Sequence, residues 1–252
     1  GEVVDVKGEA LPGVAVGFTG EAKHVTTDGR GRYSIAFEPG RLQLEFIKTG
    51  YTPARLDIAV EQARRVNARR VVLWHLPLSK GVYLLQDYRY HQLPAVEPVA
   101  YRASGQTLVY GAKRNTIEAE AQSAEPLILC YKMPRYDIEL CRMQQQEVGL
   151  VEAKDDSYTL GVWTRESDVH IELDSIDAPH DTLLALRLAG PLEPGVYGVH
   201  WGALDNYKDT DPRVFLFRVP GPPEEQPEEA GETEPEAQSE GEPEGDGSEG
   251  SD

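Results

Sequence analysis

Basic residues are scarce in this 252-residue chain: 25 Lys and Arg stand against 43 Asp and Glu, giving a formal net charge of -18. Binding a phosphate backbone regardless of sequence needs a positive surface, so this balance argues against nucleic acid as a partner. No apolar run reaches the about 18 residues needed for a transmembrane helix. Only two cysteines are present, Cys130 and Cys141, with no histidine beside either in sequence, so the paired spacing of a structural zinc site is missing. Catalytic signatures are missing too. There is no Gly-x-Ser-x-Gly elbow and no phosphate-binding loop entering a helix, since Gly29-Arg30-Gly31 lies in a hairpin turn before a strand. No catalytic residue, cofactor site or resident metal is assigned, and no convincing amphipathic helix is found.

What the chain does contain is strand patterning. From Gly1 to Leu78, short alternating stretches are divided by turn residues: Val4 and Val6, then Val14, Val16 and Phe18, then a piece near Val25. Tyr33, Ile35 and Phe37 alternate next, followed by Leu42, Leu44 and Phe46, by Leu56, Ile58 and Val60, and by a strand over about residues 71–76. About seven strands at this spacing predict a small β-sandwich. Gly29 and Gly31 allow positive φ in the tight connection, and Pro39 presets φ ahead of Gly40.

These residues carry a family resemblance. Gly1-Glu2-Val3-Val4-Asp5 and Gly8-Glu9-Ala10-Leu11-Pro12-Gly13-Val14 come first, then Thr26-Thr27-Asp28, Gly31-Arg32-Tyr33, Pro39-Gly40 and Lys48-Thr49-Gly50-Tyr51. In that order they resemble the carboxypeptidase regulatory-like domain. The resemblance implies a transthyretin-like β-sandwich over residues 1–78, an accessory module of exported or cell-envelope proteins, in a superfamily loosely associated with carbohydrate binding. It brings no peptidase activity, because the zinc-bearing catalytic domain has no counterpart here. The family's first strand usually begins before the position of Gly1, which implies a trimmed chain.

Pro77-Leu78-Ser79-Lys80-Gly81 marks the expected boundary. Residues 79–220 hold ten or so further strand patterns and predict a second, larger β-sandwich-like domain of no recognised family. Pro94 and Pro98 mark residues 88–101 as a loop or an edge strand. Residues 221–252 hold 13 of the acidic residues and no Lys, Arg, Leu, Ile, Val or aromatic. Such a tail lacks the apolar surface to offset its ordering entropy and is expected to be disordered. It reads as a solubilising tail, or as a tether to a basic partner or to Arg64, Arg65, Arg69 and Arg70.

Four constellations invite a chemical reading. Cys130 and Cys141 flank Met133-Pro134-Arg135-Tyr136, and a hairpin there opposes the two cysteines while matching Lys132 with Glu139 and Ile128 with Met143. A disulfide in that register would stabilise by ~2–3 kcal/mol and place the chain in an oxidising compartment; the alternative is two buried thiols. His170, Glu172 and Asp174 alternate on one strand, and with His180 and His200 they form the ligand set of a conceivable metal-dependent hydrolase. A solvent-facing strand explains them equally. The loop Asp205-Asn206-Tyr207-Lys208-Asp209-Thr210-Asp211 is dense in carboxylates but lacks the spacing of a calcium loop. Trp163, Trp201 and Tyr207 are candidates for a sugar-stacking platform, although Tyr197, Val199 and Trp201 share a strand face that reads as core.

The sequence therefore predicts an all-β, extracytoplasmic accessory protein with a binding or scaffolding role toward carbohydrate or protein surfaces. A metal-dependent hydrolase sited after Leu78 and a purely structural subunit are the competing readings.

Overall fold

The structure is a computed structural model and describes residues 1–61, 65–103, 107–113, 117–150, 159–178, 180–204 and 211–221. The chain is all-β, with no helix among the described residues. The acidic tail beyond residue 221 lies outside them.

The first region holds six strands: β1 (Val3–Asp5), β2 (Ala15–Phe18), β3 (His24–Thr26), β4 (Gly40–Ile47), β5 (Ala54–Val60) and β6 (Val71–Leu73). They form a four-stranded sheet, β3-β2-β4-β5, and a parallel pair, β1-β6. Val16, Leu44, Phe46 and Leu56 from the larger sheet share one core with Val3, Tyr33, Val71 and Leu73. Period-2 burial is the reason these residues form strands, since every second side chain leaves water. Gly31 has φ +70°, and a Cβ there would sit 2.4 Å from the Val3 carbonyl oxygen, so only glycine fits this crossing.

One expected strand is corrected. Tyr33–Phe37 keeps its alternation, with Tyr33 buried, Ile35 half-buried against the core and Phe37 half-buried edge-on to Phe18. It does not, however, run as a hydrogen-bonded strand among the described residues. Side-chain burial sets the pattern, while strand identity also needs a partner.

The second region begins with β7 (Gly81–Gln86), β8 (Arg89–Gln92), β9 (Ala95–Val96), β10 (Val99–Arg102) and β11 (Leu108–Gly111). It continues with β12 (Leu127–Tyr131), β13 (Ile138–Leu150), β14 (Thr159–Val169), β15 (Ile171–Ser175), β16 (Leu183–Leu188), β17 (Gly195–Trp201) and β18 (Val214–Val219). The stretch expected as loop or edge is three short strands, β8 to β10, and Pro94 and Pro98 fall in the gaps between them. Proline removes a ladder donor, so it ends each strand without preventing the next.

Two sheets face each other. One is β15-β16-β12-β7-β8; the other runs β11-β10-β13-β17-β18-β9, with β14 also on β13. Val82, Leu84, Ile128 and Cys130 from the first meet Leu140, Val199, Trp201, Phe215 and Phe217 from the second. Both sheets are covered on their outer faces as well. Tyr83, Leu129, Tyr131, Leu183 and Ala185 pack beneath Trp74 and Leu76, while Cys141, Met143, Val196, Val214 and Leu216 pack beneath Ala112, Ile117 and Leu204. Double-sided burial explains the unbroken apolar runs of β12 and β18.

Trp74 and Leu76 join the regions. Thr52 N–H donates to the Trp74 carbonyl at 2.7 Å and Leu76 N–H to the Gly50 carbonyl at 2.8 Å. Their backbones thus belong to the first region, while their side chains cover the second. Tyr90 adds a 2.5 Å bond from its hydroxyl to the His75 carbonyl.

Candidate ligand-binding site

The site is set by a ring of strands at the far end of β13. That strand pairs with β14 along one edge and, near residues 149–150, with β10 on the other. β10 pairs with β11, and Ala112, just past β11, exchanges both backbone bonds with Trp163 of β14 at 2.9 and 3.0 Å. The ring closes around Tyr101, Val148 and Val162. Gly111 makes the closure possible, because a Cβ there would approach Val162 Cγ2 to 2.7 Å.

Val162 points into the ring, so its neighbour Trp163 points out of it. The Trp163 indole is half-buried against the outer layer of Cys141, Met143 and Val196. Its remaining face lines an open cleft of about 560 Å³ with Arg142, Gln144, Gln145, Glu166 and Arg218. Gln145 is the direct cross-strand partner of Trp163, and a register shift opposite Arg142 and Met143 leaves Glu166 as the extra residue on β14. Arg142 is held from three sides. It meets Glu193 at 2.6 Å, Glu166 at 3.2 Å and the Pro194 carbonyl at 3.2 Å. The Glu193 bond raises the guanidinium pKa, and the two carboxylates leave little free positive charge. An aromatic face ringed by amides and by the carboxylate-paired Arg142, with Arg218 also on the wall, suits a polyol.

A larger cleft of about 800 Å³ lies by His91, Glu118, Arg213 and Phe215. Its arginine is committed: Arg213 binds both carboxylate oxygens of Asp211 and lies 5.1 Å over the Phe215 ring. Although burial would raise it, the Asp211 carboxyl is held low by the hydrogen bonds from Arg213. That arrangement reads as structure.

The other sequence-derived sites are scattered or corrected. Trp201 is fully buried, donates from Nε1 to the Pro134 carbonyl at 2.8 Å and packs edge-on to Phe215, so it is core and no platform. Tyr207 lies outside the described residues, as does most of the 205–211 loop. His170 and His180 are exposed, and His200 is fully buried with Nδ1 2.8 Å from the Gly202 carbonyl. Among the described residues, no three His, Cys, Asp or Glu side chains gather as a metal site. The hydrolase ligand set is therefore not assembled.

The proposed cysteine hairpin is overturned. Cys130 pairs with Val82 and Leu184 in one sheet, and Cys141 pairs with Gly198 and Asp168 in the other. Residues 132–137 carry the chain across the sandwich, with Lys132 and Asp137 at positive φ, instead of folding it back. The two sulfurs face different layers and both thiols are free. Burial pushes the Cys141 thiol up to about 12 and raises that of Cys130, so neither is a nucleophile at neutral pH. The oxidising-compartment argument loses this support.

Sequence reasoning missed Arg142, Glu166 and Glu193. A signal was present in the run Gln144-Gln145-Gln146, which is polar in a strand that starts apolar.

Comparison with known families gives a match to the carboxypeptidase regulatory-like domain over residues 1–73. That region is a domain of this kind; the match does not extend to the ring or the cleft. No curated protein matches the chain.

Proposed function

We propose that this protein is a non-catalytic accessory protein, working at the cell envelope or outside it, that binds a carbohydrate surface through the Trp163 cleft. One observation carries the reading: a half-exposed indole flanked by Gln145, Arg142 and Glu166 on a strand ring that fixes its position. Stacking on a pyranose face supplies apolar contact, and the amide and guanidinium edges supply hydrogen bonds to hydroxyls. The regulatory-like domain supports the accessory role.

Affinity electrophoresis through a panel of neutral polysaccharides, followed by calorimetry on the best binder, tests the proposal. Trp163→Ala is expected to weaken binding about 10-fold or more, and Trp163→Phe to keep part of it. Equal binding by wild type and Trp163→Ala overturns the assignment.

A further inference from the structure

Among the described residues, β15 is the last strand of its sheet and pairs with β16 alone. The ladder shows which of its backbone groups are already bonded. On β16, the Thr182 carbonyl accepts from Lys132 N–H at 2.7 Å, and the Leu183 carbonyl accepts from Ile176 N–H at 2.9 Å. Bonded pairs in an antiparallel ladder recur at every second residue. The even residues of β16 therefore turn to β12 and the odd ones to β15, so Glu172, Asp174 and Ile176 take the bonds to β16. The N–H and C=O groups of Ile171, Leu173 and Ser175 point the other way, into an open edge. Among the described residues, none of these six groups has a backbone partner.

The two faces of that edge differ. Toward the opposite sheet, Leu173 is 42% exposed, beside Ile171 and Leu188, which are half-buried against the sandwich core. On the outer face stand Glu172 and Asp174. Arg187 binds Asp174 at 3.0 Å, while Glu172 is exposed and has no ion pair among the described residues. These carboxylates decide the occupant. If two copies paired antiparallel with at least two of Ile171, Leu173 and Ser175 opposed, a carboxylate would fall directly opposite a carboxylate, which destabilises. Residues 222–252 hold no Leu, Ile, Val or aromatic and carry the same sign of charge, so they supply neither the apolar alternation nor the complementary charge.

We propose that β15 is a strand acceptor: it takes an extended segment of a partner protein, with apolar and basic residues in alternation, as an added antiparallel strand. The backbone groups of Ile171, Leu173 and Ser175 bond the apolar residues of that segment, whose side chains extend the core over Leu173. Its basic residues lie opposite Glu172 and Asp174. The Trp163 cleft takes no part, and neither surface depends on the other.

The probes are an acetylated, amidated Val-Lys-Val-Lys-Val peptide, its Val-Glu-Val-Glu-Val analogue, and a version of the first N-methylated at each Val to remove the ladder donors. Amide hydrogen exchange of the full chain is read by NMR. On binding the Lys peptide, Ile171, Leu173 and Ser175 are expected to slow at least ~10-fold, while Glu172 and Asp174, already bonded to β16, change little. The N-methylated peptide is expected to leave all five unchanged, and the Glu analogue to bind at least ~10-fold more weakly. Glu172→Lys is expected to reverse that preference. No slowing, equal slowing by the N-methylated peptide, or equal binding of the Lys and Glu peptides overturns the proposal. So does protection of Ile171, Leu173 and Ser175 in the free protein. Protection that grew with concentration would mean that a second copy covers the edge, and protection independent of it would mean that the chain covers its own.

Discussion

The two regions bury their strands differently. In the first, the four-stranded sheet buries one face, and a positive-φ glycine at Gly31 sets a close crossing. In the second, both sheets are covered on both sides, and neighbours in sequence often belong to different sheets, as β12 and β13 do. The first region is an architecture of local turns. The second is held by distant pairing, and its proposed binding cleft is a by-product of closing a strand ring.

The largest expected effect breaks the second region. Trp201→Ala removes a fully buried indole that packs on Phe215 and bonds Pro134; it is expected to cost ~3–5 kcal/mol in urea unfolding. Trp163→Ala, of the same chemistry but half-exposed, is expected to cost well under half of that. Equal costs for the two would erase the distinction between core and cleft.

Next comes the first region. Gly31→Ala places a Cβ against the Val3 carbonyl at positive φ and is expected to destabilise by ~2 kcal/mol or more. Chemical denaturation of the variant checks the value. An effect within ~0.5 kcal/mol would mean that the crossing tolerates a side chain.

A subtler contrast lies in alkali. In the second region burial raises the thiols of Cys130 and Cys141 and, to about 12, the Tyr90 phenol, while in the first it raises the Tyr33 phenol. Each folded group holds its proton where the unfolded chain releases it. The stability they contribute is whole below pH 9, the ordinary thiol value, and falls as pH rises toward 12. Melting temperature measured from pH 8 to 11 should therefore decline, with a shallower decline in Cys130→Ala. Ellman's reagent should titrate both thiols only after denaturation; rapid reaction in the native protein would contradict their burial.

Legibility in the sequence follows the same division. Asp28-Gly29 and Pro39-Gly40 encode their turns locally, so most strands of the first region could be read, along with its family. Tyr33–Phe37 misled because alternation reports burial and says nothing of a ladder partner. Cys130 and Cys141 misled because matched residues around a short turn cannot reveal that residues 132–137 cross between sheets. Trp163 was legible as a candidate, whereas Glu166 meets Arg142 at a register shift in β14 and Glu193 arrives from the turn before β17. Those positions are long-range products of the fold.

Calorimetric titration of a neutral oligosaccharide, chosen by the electrophoretic panel, into wild type, Trp163→Ala and Trp201→Phe tests the account most directly. Binding is expected in wild type, about 10-fold or greater loss in Trp163→Ala, and wild-type affinity in a folded Trp201→Phe. Undiminished binding by Trp163→Ala, or loss confined to Trp201→Phe, would contradict the assignment of function to the strand-ring cleft.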